Sequence, residues 1–364
     1  MSEFKVNTIT NRDGSHGPQV CGITTFKSSG MQLPSGPTSV RGNGKGRGRG
    51  YMAGGRNNPV FNADIDFIQI NTKGDSQEFG DLRYGLNSPK GNGNTTRSVF
   101  ASGYYPGRSP SAGYITNIDL MLHASLGGVT GFGELTIDGG QNGAQGTACN
   151  DTIAIYAGGS TNYTRGMEKI NFATTGDGVA FGDLVNLGIA DKNGDNGGLR
   201  NLNSGNLGSP TRALFVGGDD NPGTDYNIIQ YVTFASLGDA VTFGEASTVI
   251  TNTAAASDGT RGIYAGGENP SRTNHIEYIS IVSFGTAQEF GDLTDDRRSL
   301  GGVNDSLRAC FFAGDDGSSS PNNCNIIDYI TIKTTGNAAD FGDLSYGTVR
   351  NPASSSDSHG GLAS

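Results

Sequence analysis

The chain has no tryptophan, four cysteines and four histidines in 364 residues, and charged side chains make up only 16% of it. Cys21, Cys149, Cys310 and Cys324 show no CxxC spacing, so neither a zinc ribbon nor a disulfide framework is suggested. Cys310 and Cys324 flank one strand connection, and unbonded thiols are the expected state. No run approaches 18 apolar residues, and the opening MSEFKVNTIT lacks the apolar core of a secretory signal. These two absences predict no membrane span and synthesis in the cytosol. Long helices are improbable because 60 glycines are spread through a sequence rich in Asn, Ser and Thr.

What is present repeats. FGDL begins at Phe79, Phe181, Phe290 and Phe341, with FGEL at Phe132 and FGEA at Phe243. Six copies of one word are a sign of architecture rather than catalysis. Fourteen residues before each Phe stands an apolar residue: Ile65, Ile118, Met167, Ile229, Ile276 or Ile327. Each opens a strand-like run such as IEYISI or IDYITI, and a short connection leads to a second strand carrying the FG word. Upstream lies a third strand ending in small residues, as in YMAGG and YAGG. An arginine precedes five of the six copies (Arg49, Arg97, Arg212, Arg261, Arg308), with a looser offset at Arg308. Room remains for a fourth strand before each arginine, and four antiparallel strands in about fifty residues make one propeller blade.

The runs are apolar on both faces, which suits blades stacked between blades rather than a half-solvated sheet. The Phe of each FG word is expected to plug adjacent blades, its burial contributing about 1.5–3 kcal/mol. The neighbouring Gly permits close backbone approach, and the acid is expected to satisfy loop amides or to pair with the repeated arginine. The first repeat starts in mid-blade at RGYMAGG, and the C-terminal SYGTVRNPASSSDSHGGLAS has the character of the missing first strand. A strand from the C-terminus would complete the N-terminal blade and remove two exposed edges. The expectation is an all-β, six-bladed propeller over residues 46–364, preceded by an extended N-terminal arm and linker over 1–45.

Charge is divided. Residues 1–58 carry eight Lys or Arg against Glu3 and Asp13, whereas the remainder carries 17 against 33 acids. So acidic a body is unsuited to nucleic acid, whose binding rests on neutralising phosphates. RGNGKGRGRG (41–50) reads as a flexible basic linker.

Arg, a strand ending in GG, a Tyr-containing strand, then an aromatic residue and Leu together resemble the kelch repeat, with Phe where kelch usually has Trp. YAGG, IEYISI and FGDL in that order resemble the kelch-like repeats of virion structural proteins of tailed bacteriophages, especially those of marine cyanobacteria. The leader FKVNTITNRDGSHGPQVCGITTFKSSGMQLPSG resembles the segment that opens many of those proteins. The resemblance implies a non-enzymatic virion protein made in the host cytoplasm and present in several copies per particle. Residues 1–45 would bind other virion proteins and the propeller would face outward, towards a partner or a host-surface glycan. A carbohydrate-binding lectin or carbohydrate-active enzyme on the same fold is the alternative.

Little in the chain points to catalytic chemistry. His16, His123, His275 and His359 are scattered, which argues against the Tyr, His and Cys cluster of kelch-like copper oxidases. The absence of Trp removes the sialidase box. Acidic loops such as DDNPGTD and GDDGSSS do not fit the twelve-residue calcium loop. No cofactor, metal or catalytic residue is expected. Function is sought instead in the loops between the second and third strands, which differ from copy to copy. Tyr105, Tyr163 and Tyr226, set among Asn, Ser and Asp, are the candidates for stacking on a sugar or a protein loop.

Overall fold

The computed structural model describes residues 47–57, 59–107, 113–124, 127–136, 145–159, 164–189, 197–220, 223–317 and 323–362. Almost everything regular is β-strand, and six small antiparallel sheets stand around one axis as a six-bladed propeller. No helix among the described residues is long and apolar enough to cross a membrane. Residues 1–46, which include the expected arm, lie outside the described residues.

Blade 1 is closed as the termini imply. Ala353–Ser356 forms its innermost strand and pairs antiparallel with Arg49–Ala53, with Gly50 opposite Ser356 and Ala53 opposite Ala353. Asp64–Gln69 and Gln77–Asp81 complete the sheet. Blades 2, 3, 5 and 6 repeat this order with inner strands Lys90–Gly93, Gly146–Cys149, Ala254–Ser257 and Gly301–Asn304. Blade 4 departs from four regular strands. Its sheet comprises only Arg212–Val216, Ile228–Thr233 and Val241–Glu245. Irregular chain takes the inner position there, held where Leu214 N–H donates to Leu207 C=O at 2.8 Å and Val216 N–H to Asn203 Oδ1 at 3.1 Å.

Six apolar clusters fill the six blade-to-blade interfaces, and each contains one FG phenylalanine. Phe290 of blade 5 packs with Ala309, Phe311, Ile330 and Ile332 of blade 6, and Phe341 of blade 6 packs with Met52, Ile68 and Ile70 of blade 1. The adjoining glycine allows the next blade's outer hairpin to touch this strand. Gly176 N–H donates to Phe132 C=O at 3.0 Å, Gly238 to Phe181 at 3.1 Å and Gly336 to Phe290 at 2.8 Å. A Cβ on Gly182 would collide with the Gly238 carbonyl.

The FG acids and repeated arginines do not pair with each other. Arg212 Nη1 donates to Ile281 C=O of the next blade at 2.8 Å, and Arg261 Nη1 likewise to Ile332 C=O at 2.9 Å. Each guanidinium also lies over its own blade's tyrosine, Arg261 4.3 Å from the Tyr278 ring centre and Arg212 5.4 Å from Tyr231. The arginine starts the second strand and the FG acid ends the fourth, so the two occupy opposite faces of the ring. The offset at Arg308 also disappears: Arg308–Phe312 aligns with Arg261–Ala265, and Ala313 takes the first glycine position with φ 61°.

The two faces of the ring differ. One, the base, carries the hairpins between strands one and two and between strands three and four. The other, the top, carries the loops between strands two and three and the blade-to-blade connections. On the top, backbone bridges Arg56–Arg350, Asn87–Tyr104, Arg200–Asp219, Thr251–Glu268 and Arg298–Asp315 tie the variable loops of blades 1, 2, 4, 5 and 6 to the connection entering the same blade.

Candidate functional site

The top of blades 1 and 2 gathers the aromatic side chains of the variable loops. Tyr104–Tyr105 and Gly113–Tyr114 form a two-stranded ribbon in the blade 2 loop, and Val60–Phe61 belongs to a similar ribbon in the blade 1 loop. Tyr105 lies on Tyr84 at 4.7 Å with the rings tilted by 35°. Tyr104 meets Tyr114 edge-on at 5.2 Å and Phe61 at 5.8 Å. Arg56 lies over Phe61 and Arg83 over Tyr84, at 5.6 and 5.9 Å. All five rings are half-buried: part of each supports its loop, as Tyr84 and Tyr105 do against the blade 1–2 core, and part faces solvent. Burial, helped by Tyr104, raises the Tyr114 hydroxyl pKa, so Tyr114 presents a neutral phenol. Aromatic faces edged with Asn57 and Asn87 can stack on a pyranose and accept or donate hydrogen bonds at its rim.

Of the three residues expected to bind, Tyr105 stands inside this cluster. Tyr226 stands apart on blade 4. Its hydroxyl donates to Asp220 Oδ2 at 3.0 Å, and Asp220 also accepts the amides of Gly223 and Thr224 at 3.1 and 2.7 Å. Burial works to raise the Asp220 pKa, but these hydrogen bonds hold it below the ordinary carboxylate value. Its ring packs on the blade 3–4 core, so Tyr226 staples its own loop. Tyr163 lies outside the described residues. The clustering of Tyr84, Tyr104 and Tyr114 around Tyr105 was missed in the sequence. Tyr84 follows an FG word and not a variable loop, and only the ring brings it beside blade 2.

Elsewhere on the top, Asp315 is almost wholly buried beneath Arg272, Arg298 and Arg350, which reach it at 2.8, 3.2 and 3.0 Å. Burial would raise its pKa, but Arg272 and Arg298 bring it below the usual carboxylate range. This network ties the loops of blades 5 and 6 to the connection entering blade 1.

The axis is packed with small residues. A Cβ on Gly91 would collide with the Ser354 carbonyl, and one on Gly205 or Gly302 with the Ala255 carbonyl. At the base the chain end crosses the axis. His359 Nδ1 accepts from Asn206 Nδ2 at 2.8 Å and from the Gly361 amide at 3.1 Å, which leaves Nε2–H to donate to Gly93 C=O at 2.7 Å. At the opposite end of the inner strands Lys90 is buried, and desolvation brings its ammonium down to about 8.

Two buried pairs have the composition of nucleophile and base. Ser98 Oγ is 2.7 Å from His123 Nε2, and Cys149 Sγ is 3.3 Å from His359 Nε2. The first has no group on His123 Nδ1 to orient the ring, as a triad requires. In the second, burial pushes the Cys149 thiol up to about 12 and the His359 imidazolium down to about 4, the reverse of an activated thiolate–imidazolium pair. Cys149, Cys310 and Cys324 are buried and free, and no three metal-binding side chains converge among the described residues.

A ring of six third-strand side chains also escaped the sequence reading. Asp66, Asp119, Glu168, Gln230, Glu277 and Asp328 are buried, and each accepts the amide two residues past the FG acid of the preceding blade. The donors include Arg83 to Asp119 at 3.1 Å, Thr136 to Glu168 at 2.7 Å and Val185 to Gln230 at 2.7 Å. Their recurrence one place after the marker Ile or Met was visible, but the partner is a blade away. No protein-family model matches the chain, and no curated protein matches it.

Proposed function

We propose that the chain is a non-enzymatic structural protein of a tailed-bacteriophage virion, held by residues 1–45 and presenting the top of its propeller to a host-surface glycan or a partner protein. One observation carries the reading: the described chain enters the propeller at the base, opposite the variable loops. Arg47 and Arg49 donate their backbone amides to Asp357 at 2.7 and 2.8 Å, beside the axis and at the foot of blade 1. An anchor preceding residue 47 therefore leaves the aromatic cluster of blades 1 and 2 free on the other side. The sequence supports the same division, with a basic leader that has two short apolar runs and no core of its own. Deleting residues 1–45 should leave a folded propeller with an unchanged melting temperature that no longer enters particles. Normal incorporation of that truncation would refute the anchoring role.

The lectin reading is favoured by the Tyr84–Tyr105 pair. A glycan array probed with the truncated propeller separates the two: sugar binding abolished by Tyr105→Ala supports a glycan ligand, and turnover of any arrayed sugar would overturn the non-enzymatic assignment.

A further inference from the structure

The large apolar side chains that remain exposed are placed unevenly. All of those among the described residues except Val60 lie at the base, the face whose hairpins are constant in length. Most fall on blades 3 to 5, where Val179, Leu237, Val241, Val282 and Phe284 are each more than half exposed. The fold does not require them. Equivalent hairpin positions hold Lys73 in blade 1 and Thr335 in blade 6, where blades 4 and 5 have Leu237 and Phe284. The first position of the outer strand is Gln77 or Gln288 in blades 1 and 5, but Val179 or Val241 in blades 3 and 4.

These side chains form a band. The Phe284 ring lies 5.0 Å from Phe243 and 5.5 Å from Tyr231, and Tyr231 is the cross-strand neighbour of Val241. At the blade 3 end, Val179 borders a recess of about 180 Å³ lined also by Ile153, Lys169, Thr174 and Asp177. Five such side chains present roughly 300–500 Å² of apolar surface, short of the roughly 800 Å² per partner of a standard protein–protein interface. The band therefore suits a short segment better than a second globular face.

The chain holds such a segment. Residues 1–46 precede Arg47, which enters at the base, and they carry five Lys or Arg against two acids; Asp177 and Asp239 sit in the hairpins along the band. Within them GITTF (22–26) offers Ile23 and Phe26. The residues between it and Arg47 reach about 65 Å when extended, enough to cross a propeller about 50 Å wide. We propose that in the free chain residues 22–26 lie across the apolar band of blades 3 to 5 on the base of the same molecule.

The test uses the propeller lacking residues 1–45 and a fluorescein-labelled peptide of residues 22–33. Saturable binding by anisotropy is expected, weakened at least tenfold by Leu237→Lys with Phe284→Lys at an unchanged melting temperature. In the full chain with Cys21→Ser, introducing Phe26→Cys and Leu237→Cys should give a disulfide within one monomer. No peptide binding, or binding indifferent to the two lysines, would overturn the proposal. A disulfide that appears only between two chains would overturn it as well, placing a second copy on the band.

Discussion

A phenylalanine at the end of each blade holds the next one. Phe290 is almost fully buried against blade 6, and its loss would leave a cavity lined by Phe311, Ile330 and Ile332. Phe290→Ala should therefore cost about 3–5 kcal/mol, read as a lowered midpoint in denaturant with an unchanged slope; a loss under about 1 kcal/mol would place the ring outside the interface. The plug was legible in the sequence because six FG-acid words at blade spacing leave few other uses for a Phe. The polar half of the same interface was not. Asp328 was visible as one residue of a strand, but its work is to accept Thr294 N–H at 3.2 Å and Arg297 from the connection between blades 5 and 6, and no local pattern names partners 34 and 31 residues away. Ala313 is the converse case. A residue with φ 61° stands where the other blades mostly have glycine, and reading the next glycine as its equivalent produced the false offset at Arg308.

At the scale of the element, the C-terminal tail does what no repeat could announce. Ser354–Ser356 continues into Asp357, which accepts the incoming backbone, and His359 then spans the inner strands of blades 2 to 4. Burial keeps His359 neutral down to about pH 4 and His123 down to about pH 3. Both titrate near 6.5 in the unfolded chain. Below that pH the unfolded state takes up protons that the folded state refuses, so unfolding becomes easier by up to about 1.4 kcal/mol per pH unit for each histidine. This stability is fully present above about pH 6.5 and is lost as the pH falls towards the folded values. Buried carboxyls such as Asp357 and Asp305, whose pKa values burial raises, act in the opposite sense but nearer the carboxylate range. Urea melts should accordingly show lower stability at pH 5 than at pH 7, and replacing both histidines by Gln should flatten that dependence. An unchanged slope in the double variant would mean that other groups set it. The strand that closes blade 1 was readable from the complementary ends of the chain. The tail was not, because SHGGL occurs once and has nothing to be aligned with. Blade 4 escaped for a related reason: its inner segment follows the one long insertion and is held by a single Gly208–Ala213 backbone bridge and the Asn203 and Asn206 side chains rather than by a regular strand ladder.

For the whole molecule, closure matters more than any single blade. The ring is joined at six apolar interfaces, by hairpin-to-Phe hydrogen bonds and by the buried third-strand acceptors, so the base and the top are held in fixed opposition. That opposition turns a symmetrical fold into a polar one, with the incoming chain and the exposed apolar band at the base and the aromatic cluster at the top. The most direct measurement is an electron cryomicroscopy map of the intact particle at a resolution that separates the blades. The expected density is a six-bladed ring with residue 47 and the base turned towards the particle, and with Tyr84, Tyr104 and Tyr105 facing outward. A ring held by its top loops with the base facing solvent, or a particle without the chain, would contradict the proposed function.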